Sequence, residues 1–170
     1  MKLAICLIFC STAATACVAA DKLPPGALHT LYKNTELVEY VCVENASCTE
    51  GEFAAKIDVK EVNLSSRPQG KFNALVVEPT KKGKQYFTAI FTADPSRPEL
   101  IFSPDTSMSG IKIMPNSKNN MRILRSTELE STEAWKQTDY GYDAKTKQYM
   151  EIKTTCFHEK NGKGIAVKCS

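Results

Sequence analysis

Short apolar runs recur along this chain at intervals of about ten to fifteen residues, with glycine or proline in nearly every gap. The runs "ELVEYVCVE" (36–44), "FAAKIDVKEVNL" (53–64), "KFNALVVE", "QYFTAIFTA", "ELIFS", "GIKIM", "MRILRS", "TDYGYD" and "QYMEIKTTCFH" are rich in β-branched and aromatic residues. Gly70, Pro79, Gly83, Pro95, Pro98, Pro104, Gly110 and Pro115 punctuate them. Within 53–64, Phe53, Ala55, Ile57 and Val59 alternate with Ala54, Lys56, Asp58 and Lys60, the period of a half-buried strand. The phase slips by one at Val62 and Leu64, which predicts a bulge or a bend. The whole pattern predicts an all-β domain, an antiparallel β-sandwich or β-barrel of about 8–10 short strands. At most one short helix is expected. It falls in "STELESTEAWKQ" (126–137), where Ser or Thr is followed three residues on by Glu.

The first residues, "MKLAICLIFCSTAATACVAADK", place Lys2 before an apolar run and then small residues. That is the pattern of an export signal over residues 1–20, cut after Ala20, and it is too short to span a bilayer. The alternative is a lipoprotein signal ending before Cys17, with Cys17 lipidated; Ala14 then stands where a larger aliphatic residue is usual. Residues 21–35, with the pair Pro24-Pro25, are expected to be a flexible segment. Residues 36–170 are expected to form a single β domain.

Export changes how the cysteines read. Beyond residue 20 four remain, Cys42, Cys48, Cys156 and Cys169, an even set suited to two disulfides in an oxidising compartment. Four cysteines allow three connectivities. The segment "CFHEKNGKGIAVKCS" (156–170) reads as a hairpin. A type I′ turn at Asn161-Gly162 sets Cys156 opposite Val167, and a type II′ turn at Gly162-Lys163 sets Cys156 opposite Cys169. The second register is the expected one, because a Cys156–Cys169 staple then joins directly opposed residues. Cys42 and Cys48 would close a small loop around "VENAS" between two strands, although a link between the N- and C-terminal pairs stays open. A Cys-x-His beside one more cysteine offers too few ligands at the wrong spacing for structural zinc, so no metal is expected.

Catalytic parts are scarce. His29 and His158 are the only histidines, and no Gly-x-Ser-x-Gly, His-Glu-x-x-His, phosphate-binding loop or calcium loop occurs. "PDTSMSG" (104–110) reads as a polar turn. Glu128, Glu130 and Asp139 are the candidate carboxylates should a glycosidase-like pair exist. No enzyme and no cofactor are expected. Without Lys2, 21 basic side chains face 19 acidic ones, and the clusters "KKGK" (81–84) and "KNNMRILR" (118–125) read as turns. Nucleic acid is therefore not an expected partner. "NAS" (45–47) and "NLS" (63–65) match glycosylation sequons.

The strongest lead is aromatic. Trp135, Tyr140, Tyr142 and Tyr149 fall close together, with "AKTK" able to fold Tyr142 back onto Tyr149, and they form the candidate recognition surface. The bland alternative is core packing with hydroxyls at the rim. The expected function is an exported, periplasmic or extracellular, non-catalytic binding protein that inhibits or neutralises a protein partner such as a wall-active enzyme or toxin. The alternatives are a β-barrel carrier of a small apolar ligand or lipid, and an envelope lipoprotein with a structural or assembly role.

Overall fold

The computed structural model describes residues 23–42, 48–103 and 108–169. The expected export signal with Cys17, residues 43–47 with the first sequon, and residues 104–107 of "PDTSMSG" lie outside the described residues. Among the described residues three short helices come first: α1 (Pro25–Tyr32), α2 (Thr35–Val41) and α3 (Glu50–Ala54). Two antiparallel sheets follow, both built in chain order. The first holds β1 (Ile57–Asn63), β2 (Asn73–Pro79), β3 (Ala89–Thr92) and β4 (Leu100–Phe102). The second holds β5 (Ile111–Lys118), β6 (Met121–Leu129), β7 (Ala134–Asp143), β8 (Gln148–Lys160) and β9 (Lys163–Val167). The fold is mostly β, as the sequence predicts, with more helix than the single short one expected.

Each helix has a local cause. Pro25 occupies the first turn of α1, where its missing N–H costs nothing. Leu23, Ala27 and Leu31, four apart, are all buried. The proline pair therefore starts a helix where a flexible segment was expected. In α2, the side chain of Asn34 accepts the Leu37 N–H at 3.3 Å, and Glu36 sits in the first turn. Leu37, Val38 and Val41 all reach the core on helical spacing. This overturns the strand expected over 36–44, because cap and spacing outweigh the β-branched composition. At α3, Thr49 and Glu52 form a reciprocal capping box, so Phe53 and Ala54 are helical and the strand begins only at Ile57.

The four-stranded sheet is buried on both faces. On one, Ile57, Val59, Leu75, Val77, Ala89 and Phe91 pack under the helices. On the other, Ala74, Val76 and Ile90 meet Met121, Leu124 and Tyr149 of the five-stranded sheet. The slip from Ile57 and Val59 to Val62 and Leu64 is therefore no bulge; β1 pairs with β2 without interruption. It marks where the apolar side chains change from the helix layer to the inter-sheet layer. The sheets are stitched at a corner by Ser66 N–H to the Asn120 carbonyl at 2.9 Å and Arg122 N–H to the Leu64 carbonyl at 2.8 Å.

The helix expected over 126–137 is instead the β6–β7 hairpin. Ser131 Oγ accepts the N–H groups of Glu133 and Ala134, at 3.2 and 3.0 Å. The serine thus caps a turn, and Glu128 and Lys136 meet across it as an ion pair at 2.6 Å. Asn119 and Asn120, with φ of 54° and 62°, make the left-handed turn between β5 and β6.

Candidate interaction surface

Strand register sorts the side chains of the five-stranded sheet onto two faces, since directly paired residues share a face and neighbours along a strand alternate. Leu124 pairs with Tyr140, Ser126 with Thr138 and Glu128 with Lys136, and Lys136 pairs in turn with Cys156. This face looks toward the four-stranded sheet. Leu129 pairs with Trp135, Trp135 with Phe157 and Phe157 with Ala166, a single row across four strands on the opposite, outward face.

The four candidate aromatics therefore divide. Tyr140, Tyr142 and Tyr149 turn inward. Tyr140 packs edge-on against Phe102 with ring centroids 5.0 Å apart, and Tyr142 packs against Phe72 at 5.4 Å and Tyr149 at 5.5 Å. Tyr149 is only 6% exposed and donates its hydroxyl to the Arg122 carbonyl at 3.0 Å. Burial pushes its phenol well above the usual tyrosine range, with the Tyr142 phenol beside it adding to the shift. Tyr142 is raised by the same cause and by the charge of Glu99. The fold of 143–148 does bring Tyr142 onto Tyr149, as the spacing predicts.

Trp135 stands apart from the tyrosines. It stacks on Phe157 with centroids 5.6 Å apart and planes 12° from parallel. Its ring also lies over the backbone of β9: a Cβ placed on Gly164 would fall 2.5 Å from Trp135 Cζ2. Only glycine leaves room for that approach. Exposed Leu129 ends the row. Beside it on the same face, Arg125 grips Asp139 with two hydrogen bonds of 2.6 and 2.8 Å, which raise the guanidinium further. Phe157, Leu129 and Gly164 were not singled out by sequence. Counting back from the Asn161-Gly162 turn pairs Phe157 with Ala166, but the step to Trp135 also needs the β7–β8 register.

The terminal stretch is a hairpin closed by a Cys156–Cys169 disulfide, with Cα atoms 5.2 Å apart. Its register is the one set aside. Lys160 pairs with Lys163 and Cys156 with Val167, around Asn161 and Gly162 at φ of 54° and 72°. β9 ends at Val167, and the two residues beyond it bring Cys169 back to Cys156. The direct opposition assumed for the staple is thus unnecessary. Cys42 and Cys48 are bonded to each other, and their loop joins two helices rather than two strands.

Where the five-stranded sheet runs past its partner, its inward face opens into a groove of ≈450 Å³. Glu128, Glu130, Lys136, Glu151, Thr154 and the Cys156–Cys169 disulfide help line it. The Lys136 ammonium is held above its ordinary range by its hydrogen bond to Glu128. Of the three candidate carboxylates, Glu128 and Glu130 border this groove while Asp139 sits on the opposite face with Arg125, so Asp139 cannot flank a bond with either. The Asn63 amide is engaged in the turn that follows β1: Nδ2–H donates to the Gly70 carbonyl, and Oδ1 accepts from Ser65 and Phe72. Among the described residues, no helix is long and apolar enough to cross a membrane. Comparison with protein-family models, curated proteins and solved structures finds no match.

Proposed function

We propose that this chain is an exported, non-catalytic binding protein that engages a protein partner through the β7–β9 end of its five-stranded sheet, and so inhibits or neutralises that partner. The observation that carries the reading is the Trp135–Phe157 stack, held on the outward face in line with exposed Leu129. Tryptophan and its aromatic neighbours offer large, rigid, partly polar contact area, the chemistry that dominates protein interfaces. Ile165 and Val167, 47% and 46% exposed, add apolar surface on the other side of the same strands. Two disulfides are compatible with an oxidising compartment, and the pattern of residues 1–20 supports export. A carrier would need open space between the sheets, and Val76, Ile90, Phe102, Leu124 and Tyr149 fill it.

Native mass spectrometry of the protein from its own host's exported fraction tests the reading. A second protein bound at fixed ratio is expected, and Trp135→Ala should release it while the near-UV circular dichroism of the tyrosine core persists. A small apolar adduct in place of a protein would sink the proposal in favour of a carrier. A diacylglycerol-sized addition on a chain beginning at Cys17 would favour an envelope lipoprotein.

A further inference from the structure

β9 is the last strand of its sheet, and nothing among the described residues pairs with its outer side. In a two-residue hairpin the flanking pair, here Lys160 and Lys163, exchanges both hydrogen bonds, and bonded and unbonded pairs alternate from there. Ile165 and Val167 are therefore bonded to β8, while Gly164 and Ala166 turn their N–H and C=O groups away from it. All five residues of β9 are exposed.

Proteins blunt such edges, and the other three edges here are blunted. β4 is three residues long. β5 carries Pro115 and an irregular register between Ile113 and Ser117. β1 presents Asp58, Lys60 and Glu61 along its length. β9 has no proline and no register shift; its one charge, Lys163, stands at its start, and Lys168 follows just past its end.

We propose that β9 is an augmentation site: an extended segment of another protein, apolar at alternate positions and acidic at its ends, adds to the sheet as a sixth strand. The inference rests on the binding-protein reading and names how the partner is held. Backbone groups of Gly164 and Ala166 supply the hydrogen bonds of the new ladder. Ile165 and Val167 meet its apolar side chains on one face, and the Trp135 rim over Gly164 borders it on the other. Charge selects the partner. No ion pair among the described residues involves Lys160, Lys163 or Lys168, so carboxylates at the ends of the added strand meet unneutralised ammonium groups. A second copy of β9 would instead line the seam with lysines from both chains.

The test uses the whole protein and a short fluorescent peptide of alternating valine and threonine, with glutamates at both ends. Binding should slow amide exchange at Gly164 and Ala166, whose N–H groups are open in the free protein. Ala166→Pro removes one outward N–H without touching a β8–β9 bond, and should weaken binding by about tenfold or more. The double variant Lys163→Glu, Lys168→Glu needs no backbone change and should shift preference to a lysine-ended peptide. No binding at millimolar peptide, or binding unaffected by both variants, overturns the proposal. A concentration-dependent dimer that Ala166→Pro abolishes also overturns it, by making the occupant a second copy. If a natural partner is lost with Trp135→Ala but kept with Ala166→Pro and with the charge reversal, the binding-protein reading survives and the added strand does not.

Discussion

Tyr149 shows what one inward-facing side chain contributes. Its ring fills the inter-sheet core and its hydroxyl satisfies the Arg122 carbonyl. Tyr149→Phe should cost about 1 kcal/mol in urea denaturation, the net worth of one hydrogen bond. The pH dependence has a definite sign. The folded state holds the phenol proton that the unfolded chain releases above about pH 10, so this stabilisation is complete below that value and falls as pH rises through it. Lys136, raised by Glu128, loses its contribution in the same alkaline direction. Denaturation midpoints should therefore drop from pH 9 to 11 in the wild type, and less steeply in the phenylalanine variant. Gly164 is the counterpart on the outward face. Gly164→Ala should displace the indole and shift the fluorescence of the only tryptophan, at a cost of about 1 kcal/mol or more. The tyrosine cluster was legible from spacing, whereas its direction was not. Which face of β7 is inward depends on the sheet packed against it, and no residue of β7 encodes that alone.

At the scale of elements, the terminal hairpin separates what its turn decides from what its disulfide decides. The Asn161-Gly162 turn fixes the register, and the Cys156–Cys169 bond then holds an edge strand whose side chains are all exposed. Replacing both cysteines with serine should cost about 3 kcal/mol in the chain-entropy picture. Hydrogen exchange should rise first in β9 while β6 and β7 stay protected. The staple was legible because both candidate turns bring the two cysteines close. The register was not, because "NGKG" satisfies either turn. α2 was misread for a related reason. "ELVEYV" favours strand by composition, and only the Asn34 cap with the 37, 38, 41 spacing turns it helical. The stretch at 126–137 erred the other way, since a serine two or three residues before free N–H groups serves a hairpin turn as well as a helix.

Over the whole molecule, the helices, the four-stranded sheet and the five-stranded sheet share one central layer. Leu124, fully buried, bridges the two sheets. Leu124→Ala should cost about 2–5 kcal/mol, and far- and near-UV signals should melt together if both sheets unfold as one unit. The antiparallel β class was legible from the punctuated β-branched runs, even though the run at 36–44 became a helix. The layering was not. "NALVVE" reads as a continuous apolar run, and only the presence of helices on one side explains why both its faces are dry.

The strictly sequential strand order of both sheets bears on how the chain acquires its shape. Within each sheet every strand lies beside its neighbour in sequence, so each sheet can grow by adding one hairpin at a time to the last. A chain delivered from its N-terminus completes the helices and the first sheet while the second is still emerging. In that interval Ala74, Val76 and Ile90 have no cover, and their exposure lasts until β6 and β8 arrive. The vulnerable moment for this protein is therefore the gap between its two sheets in time, and a stall in synthesis after β4 should favour aggregation over a stable half-molecule.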